Sequence, residues 1–183
     1  MDCNLACTYC YQSDNESSCE AAFCKGKTIT KETARAAVDL SVEKGDDRTG
    51  ICFFGGEPLM NWDVVKKLVQ YAREVEKEHN KNFRFTLTTN GMLIDDEVIE
   101  FSNKEMSNVV LSLDGRKEIN DATRVDYAGN GSYDKIVPKF QRLVSARGGK
   151  DYYMRGTFTH SNPDFLEDIK VMLDLGFNEL SME

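Results

Sequence analysis

Apolar and polar positions follow two patterns along the chain, one typical of short buried strands and one with the periodicity of amphipathic helices. The strand-like runs lie at 51–54, 83–88, 109–113, 152–159 and 177–182. Runs with apolar residues at helical spacing lie at 31–44 and downstream of Asn61, Asp95, Ser132 and Asn162. Because strands and helices alternate strictly, the pattern predicts an α/β fold with five parallel strands and right-handed crossovers.

Residues that commonly start and stop helices mark the ends of several of these runs. Thr30 is expected to cap the first helix, and Gly45 is expected to end it. Asn162 followed by Pro163 predicts the cap and the first residue of the last helix. Pro138 lies inside an otherwise helical run and predicts a kink near the start of that helix.

The two ends of the chain bear on the fold class. No strand-like run precedes Cys3, and the chain ends at Glu183 inside or just after a strand. We therefore expect a partial parallel (β/α) barrel that is truncated at both ends. The length of 183 residues is enough for one domain with a core, so residues 1–183 are expected to form one domain. The polar segment 12–27 is poorly patterned and predicts a loop.

Composition and charge disfavour several classes of function. Hydrophobic residues make up 40% of the chain, charged residues 30%, and the formal net charge is -8. No apolar run approaches the ~20 residues of a membrane span, and no dense basic cluster is present for nucleic acid or anionic lipid. Six cysteines in a domain of this size without a secretion signal favour metal ligation over disulfides. We therefore expect a cytoplasmic protein that binds neither nucleic acid nor membrane.

Three cysteines lie close together at the start of the sequence, where Cys3, Cys7 and Cys10 form a CxxxCxxC motif. Three thiolates can hold three irons of a cubane iron–sulfur cluster and leave the fourth iron open to a small chelating molecule. The alternative is a zinc site with a distant fourth ligand. Zinc sites favour paired CxxC units with a Cys or His partner, and neither His79 nor His160 lies near a second cysteine pair.

Three further polar motifs follow predicted strands, namely GGEP at 55–58, TTNG at 88–91 and SLDG at 112–115. Each motif taken singly is typical of an ordinary turn. In a parallel α/β barrel, however, the carboxyl ends of the strands surround one mouth where ligands bind. Consecutive glycines allow a ligand to approach the backbone closely, and Glu57 can accept a hydrogen bond from an ammonium group. Together with the cysteines, these motifs predict one binding site on one rim.

These residues resemble the radical S-adenosylmethionine (SAM) superfamily, through CxxxCxxC with FFGGEPLMN, TLTTNG and VVLSLDG. The longer stretches KEHNKNFRFTLTTNG, NVVLSLDGRKEIND, GNGSYDKIVPKF and RGTFT are similar to the peptide-modifying branch with SPASM-type tails, and most similar to maturases of six-cysteine peptides (SCIFF). The resemblance implies a [4Fe-4S] cluster, SAM as cofactor, and a thioether bond between a cysteine sulfur and a backbone α-carbon. It also implies that a first strand and a C-terminal auxiliary-cluster domain lie outside this sequence.

Residue roles follow where the sequence matches the family's motifs. The resemblance implies that Cys3, Cys7 and Cys10 are the cluster ligands. The residues implied to contact SAM are Tyr9 near the adenine, Gly55, Gly56 and Glu57 at the methionine ammonium, Ser112 and Arg124 at the carboxylate, and Asn90 and Asp114 near the ribose or the substrate. Arg155 and Glu183 are candidates for contact with SAM or substrate, with a strand-end ion pair as the alternative for Arg155.

The resemblance also implies partners, namely a cysteine-containing peptide or protein substrate and an electron donor such as a flavodoxin or ferredoxin. Two other functions stay open. One is a sulfatase-maturase-like enzyme that oxidises Cys or Ser to formylglycine, and the other is a non-catalytic zinc or iron–sulfur binding module. The sequence departs from the family at Asn120, where His is usual, and at Val125, where Pro is common.

The other three cysteines receive structural interpretations. Cys52 lies in an apolar strand and is predicted to be a small buried residue. Cys19 and Cys24 lie in the polar segment and are predicted to be loop thiols with no part in the first cluster.

Overall fold

The computed structural model describes residues 2–10 and 28–183. Cys19, Cys24 and the whole of the predicted loop at 12–27 therefore lie outside the described residues. The strands are β1 (Arg48–Phe53), β2 (Asn82–Thr89), β3 (Asn108–Ser112), β4 (Tyr152–Gly156) and β5 (Leu180–Met182). The helices are α1 (Lys31–Lys44), α2 (Trp62–His79), α3 (Asp96–Glu105), α4 (Lys117–Thr123), α5 (Tyr133–Ala146) and α6 (Phe165–Asp174), with a 3₁₀ helix at Pro58–Asn61.

The five strands form one sheet in the order β1-β2-β3-β4-β5, and every neighbouring pair is parallel. Helices separate consecutive strands, so each connection crosses back over the sheet as parallel pairing requires. The predicted α/β class and the five parallel strands are confirmed. Because all strands run the same way, the loops that leave their carboxyl ends gather on one edge.

The two faces of the sheet differ in what covers them. On one face, Phe83, Phe85 and Leu87 of β2 are fully buried against the helices, as is Met154 of β4. Residues of the opposite face are mostly polar and partly exposed, and they include Thr86 and Thr88 of β2, Tyr153 and Arg155 of β4, and Ser181 of β5.

The sheet curves toward its polar face. The Phe54 ring, just after β1, lies 5.8 Å from the guanidinium carbon of Arg155 in β4. Adjacent strands are about 4.8 Å apart, so strands three positions apart are separated by about 14 Å in a flat sheet. The contact indicates that the carboxyl ends of β1 and β4 bend toward each other, as in a partial barrel.

Capping residues set the helix ends in two places where the sequence predicts them. The Thr30 hydroxyl accepts a hydrogen bond from the Thr33 amide at the start of α1, and Gly45 ends that helix. Asp95 caps α3 in the same way by accepting from the Val98 amide at 2.9 Å. The helix α5 continues through Pro138 without interruption.

The predicted cap of the last helix is wrong. The helix α6 begins at Phe165 with Asp164 as its N-cap residue, not at Pro163. Asn162 is instead buried, and its Oδ1 accepts hydrogen bonds from the amide and the hydroxyl of Thr159, both at 2.8 Å. The side chain therefore closes the turn that follows β4 and is not available to the helix.

The prediction that Cys52 is buried is also wrong, because its side chain is exposed. Neighbouring residues in a strand point to opposite faces, and Ile51 and Phe53 pack against the core. Cys52 therefore faces the polar side of β1, which is an edge strand of the described sheet. Among the described residues, no helix is long and apolar enough to cross a lipid bilayer.

Candidate active site

The cysteine loop, residues 2–10, lies at the carboxyl edge of the sheet and is held there by backbone hydrogen bonds. The Ala6 amide donates to the Val125 carbonyl at 2.8 Å, and the Thr8 amide donates to the Thr123 carbonyl at 2.9 Å. Leu5, directly before the first of these anchors, is buried. The segment after α4 thus supports the loop that carries all three cysteines of the motif.

The pKa values of two cysteines in the loop are shifted by their surroundings. Burial raises the pKa of the Cys3 and Cys7 thiols, and the negative fields of the neighbouring cysteines raise both pKa values further, while Arg124 opposes the rise at Cys7. No three His, Cys, Asp or Glu side chains of the described residues converge tightly enough to hold one metal ion.

Glu57, in the loop after β1, ties neighbouring strand ends together. Its side chain is 4% exposed. Oε1 accepts from the Leu59 amide at 3.0 Å and from the Thr89 hydroxyl at 2.9 Å, and Oε2 accepts from the Asn90 amide at 2.7 Å. Burial raises the pKa of this carboxyl, and the three hydrogen bonds only partly offset that rise. The Glu57 amide donates to the Asp2 carbonyl at 2.9 Å, so the same residue also fixes the start of the cysteine loop.

The two glycines before Glu57 allow this close approach. Gly55 has φ of 109°, which a residue with a Cβ rarely adopts. A Cβ on Gly56 would lie 2.1 Å from the Asp2 carbonyl oxygen. The backbone of the GGEP motif therefore touches the cysteine loop directly.

Asp114, which follows β3, is fully buried and receives four hydrogen bonds. Oδ1 accepts from Arg124 Nη2 at 2.9 Å and from the Thr157 amide at 3.0 Å. Oδ2 accepts from the Tyr9 hydroxyl at 2.7 Å and from the Thr123 hydroxyl at 3.0 Å. One carboxylate therefore connects the cysteine loop, the end of α4 and the end of β4.

Arg124 is 8% exposed and lies between Asp114 and the Tyr9 ring, whose centroid is 5.5 Å from the guanidinium carbon. Burial alone lowers the pKa of Arg124, but the negative charge of Asp114 reverses the direction and raises it. Its Nε is buried without a hydrogen-bond acceptor among the described groups. A buried donor without an acceptor is costly, so this atom indicates a place for an anionic ligand group.

Ser112 and Arg155 lie side by side at the carboxyl ends of β3 and β4, where they are register partners. Ser112 is buried, whereas Arg155 is partly exposed and donates through Nε and Nη2 to Glu183 Oε2 at 3.0 and 2.5 Å. The ion pair expected as the alternative for Arg155 is therefore present. It lies on the polar face of the sheet, beside Phe54, and borders the mouth of the partial barrel.

The structure brings together the residues that the motifs single out. The cysteine loop contacts or adjoins Glu57, Asn90, Asp114 and Arg124. Sequence reasoning missed Thr123, Thr157 and Asn4, because a hydroxyl, a backbone amide and a loop amide have no motif of their own. The CxxxCxxC motif already held one signal for Asn4, since a polar side chain between two cysteines of the motif is available to hold the loop.

The fold and this site define a class of protein, namely partial-barrel domains with a three-cysteine loop at the carboxyl edge of a parallel sheet. The family model for the Radical SAM superfamily matches residues 2–157, so the chain belongs to that superfamily and is a radical SAM enzyme domain. A [4Fe-4S] cluster and SAM are the cofactors of this superfamily. The donor set here fits both, through the three thiols and the unpartnered Arg124 Nε.

Two individual relatives carry the names of particular enzymes. The cysteine-type anaerobic sulfatase-maturating enzyme of Clostridium novyi is 31% identical over 144 residues, which are 78% of this chain and 37% of that protein. The radical SAM cyclopropyl synthase TigE of Paramaledivibacter caminithermalis is 27% identical over 195 aligned positions, which cover 94% and 39% of the two chains. This chain therefore spans less than half the length of either relative.

A solved structure shows the same fold. Native anSMEcpe with bound AdoMet, which is SAM, superposes with a TM-score of 0.86 at 25% sequence identity. The superposition covers 99% of this chain and 48% of that protein. The expected partial barrel of the radical SAM type is confirmed.

Proposed function

We propose that Cys3, Cys7 and Cys10 ligate the [4Fe-4S] cluster, that SAM binds at the open iron, and that the domain uses the resulting radical on a peptide or protein substrate. The observation that carries the proposal is the half-buried cysteine loop, which is pinned to the strand ends where the GGEP, TTNG and SLDG loops meet. Held by these three thiolates, a reduced cluster would supply the one electron that cleaves SAM to methionine and a 5′-deoxyadenosyl radical, and that radical would abstract hydrogen from the substrate.

The chain's own residues position these groups. Gly55 and Gly56 bring the backbone close to the cysteine loop, at the place proposed for the methionine ammonium. Because three donors already occupy the oxygens of Glu57, we propose that this residue supports the ammonium site chiefly by holding the loop in place. Ser112 and the Arg124 Nε are proposed for the carboxylate of SAM, since a guanidinium is well suited to bind a carboxylate.

Tyr9 and Asp114 hold the rim of the pocket. The Tyr9 ring packs against Arg124, and its hydroxyl is bound to Asp114. Its ring is thereby oriented for contact with the adenine. Asp114 has four donors from the protein, so we propose that it orders the residues around the ribose and does not bind the ribose itself.

The polar face of the sheet is proposed to receive the substrate. Its residues are open to solvent near the mouth, and Arg155, Glu183 and Phe54 border that mouth. A protein substrate is supported by the relative from Clostridium novyi, whose name describes maturation of a sulfatase. The long sequence stretches similar to six-cysteine peptide maturases favour a cysteine-rich peptide and formation of a thioether from cysteine sulfur to α-carbon.

In this proposal residues 1–183 form one radical SAM core domain. Auxiliary clusters that bind the substrate sulfur would come from a further domain, and a flavodoxin or ferredoxin would supply the electron. Formylglycine formation is the second candidate, because a sulfatase-maturating enzyme shares 31% identity with this chain.

The first experiment tests the cofactors. The protein is reconstituted anaerobically, reduced, and studied by electron paramagnetic resonance (EPR) with and without SAM. We expect a [4Fe-4S]⁺ signal that changes when SAM is added and disappears in Cys7→Ala. Cys52→Ala is the matched control, since Cys52 is an exposed cysteine outside the loop, and it should keep the signal. Uptake of zinc alone, or a spectrum insensitive to SAM, would refute the proposal in favour of a binding module.

The second experiment tests the substrate reaction. The full-length protein is co-expressed with a cysteine-rich peptide, and the peptide is analysed by mass spectrometry. Thioether formation predicts the loss of two hydrogens per crosslink and the loss of one free thiol. An aldehyde that reacts with a hydrazine reagent would instead indicate formylglycine, and an unmodified peptide would contradict the thioether proposal.

A further inference from the structure

Asn90, at the end of β2, connects the TTNG loop to the cysteine loop. Its side chain is 8% exposed. Nδ2 donates to Asn4 Oδ1 at 2.8 Å and also to Cys3 Sγ at 3.7 Å. Oδ1 accepts from the Met92 amide at 3.0 Å. Because the Met92 amide can only donate, the carbonyl end of the Asn90 amide must face Met92 and the NH₂ end must face the cysteine loop.

We propose that Asn90 is a positioning residue whose side-chain N–H donates a hydrogen bond to the Cys3 sulfur and raises the reduction potential of the cluster. The inference rests on the proposed ligation of the cluster by Cys3. Each of the two Nδ2 hydrogens has one acceptor, Asn4 Oδ1 for one and Cys3 Sγ for the other. The amide therefore has a fixed geometry and does not depend on solvent.

The direction of the effect follows from charge. Reduction adds one electron to the cluster and its sulfur ligands, so a hydrogen bond to a ligand sulfur stabilises the reduced form more than the oxidised form. Burial strengthens the effect, because water competes little for either partner. Loss of the donor should therefore make the cluster harder to reduce.

Glu57 acts in the opposite direction. Its buried carboxylate interacts electrostatically with Cys3, and a negative charge nearby disfavours the addition of an electron. Asn90 stands between the two groups, because its backbone amide donates to Glu57 Oε2 and its side chain donates to Cys3. One residue thus contacts both the sulfur ligand and the carboxylate that holds the loop.

The experiment is an EPR-monitored redox titration of the reconstituted holoenzyme. We expect Asn90→Ala to shift the midpoint potential to a more negative value, and Asn90→Asp to shift it further, since the aspartate also adds a negative charge. Asn178→Asp adds the same charge at an exposed position after α6, and its potential should match that of the wild type. Asn4→Ala removes the competing acceptor but leaves the donor to Cys3, so its potential should not fall.

Three results would overturn the inference. The first is an unchanged potential in Asn90→Ala that carries a complete cluster. The second is a shift in Asn4→Ala as large as that in Asn90→Ala, which would attribute the effect to loop geometry. If neither Asn90 variant assembles a cluster, the reduced Asn4→Ala protein labelled with ¹⁵N in the asparagine side-chain amides decides, because pulsed EPR must then detect a side-chain amide nitrogen coupled to the cluster. The third result that would overturn the inference is the absence of that coupling.

Failure of the inference is distinct from failure of the proposed function. If the wild-type cluster responds to SAM but its reduction potential is unchanged in the Asn90 variants, only the proposed role of the hydrogen bond is refuted. A wild-type protein that binds no cluster removes the proposed function itself.

Discussion

Replacement of Asp114 by asparagine is the most direct perturbation of the polar network that supports the cysteine loop. The side chain keeps its shape, but one acceptor oxygen becomes an NH₂ group and the negative charge is lost. Arg124 then remains buried without its counter-ion, which lay 2.9 Å away. At least one pair of donors, either Tyr9 and Thr123 or Arg124 and Thr157, then faces an NH₂ group.

The expected loss of stability is large for a single atom change. Removing one partner of a buried ion pair costs about 3–5 kcal/mol, because the remaining charge stays desolvated. At a urea m-value of about 2 kcal/mol/M, a loss of about 4 kcal/mol lowers the unfolding midpoint by about 2 M. Replacing Arg124 with methionine in the Asp114→Asn background should recover part of this loss, since the unpaired charge is then removed.

The assay is urea unfolding followed by circular dichroism, with the cluster absent so that only the protein network is measured. Asp134→Asn is the matched control, because Asp134 pairs with Lys117 on the surface and its side chain is 75% exposed. Surface pairs contribute about 0–1 kcal/mol, so the control midpoint should move little. A midpoint shift in Asp114→Asn as small as that of the control would refute the argument that this carboxylate holds the site together.

Other residues give shorter tests. Gly56→Ala should lower the iron content after reconstitution, because its Cβ would lie 2.1 Å from the Asp2 carbonyl oxygen, whereas Gly50→Ala has open space and should load normally. The pKa of Glu57 is raised on folding, so its contribution to stability is fully present below the unfolded pKa and is lost as pH rises through the folded pKa. Glu57→Gln should therefore flatten the pH dependence of urea stability above pH ~4.5, and an unchanged slope would contradict the assignment.

Much of the fold follows from local patterns in the sequence. The strand β2 was predictable because its buried apolar residues, such as Phe85, alternate with polar ones, and β3 was predictable because its apolar run, including Val109, is buried. The last helix was predicted, but its first residue was not, because Asn162 accepts hydrogen bonds from Thr159 and does not cap the helix. That competition is local, because Thr159 lies three residues before Asn162, and a capping rule that considers only the residues after the candidate cap does not include it.

The candidate site was predictable to a similar extent. The glycines and cysteines of the motifs indicated which loops meet, since their positions at strand ends are visible in the sequence. The hydrogen-bond partners of Asp114 could not be predicted from the sequence. Tyr9 and Thr157 are each more than 40 residues away from it, one before it and one after it. The exposure of Cys52 was missed for a related reason, since hydrophobic neighbours do not indicate which face of an edge strand is covered.

The hydrogen bonds of the cysteine loop bear on how the protein is made. The loop is synthesised before its supports at Thr123, Val125 and Thr157, which emerge from the ribosome more than one hundred residues later. A nascent chain therefore presents its three thiols before the groups that fix their geometry exist. We expect cluster insertion to follow synthesis of the fourth strand, and the exposed thiols to need protection from oxidation until then.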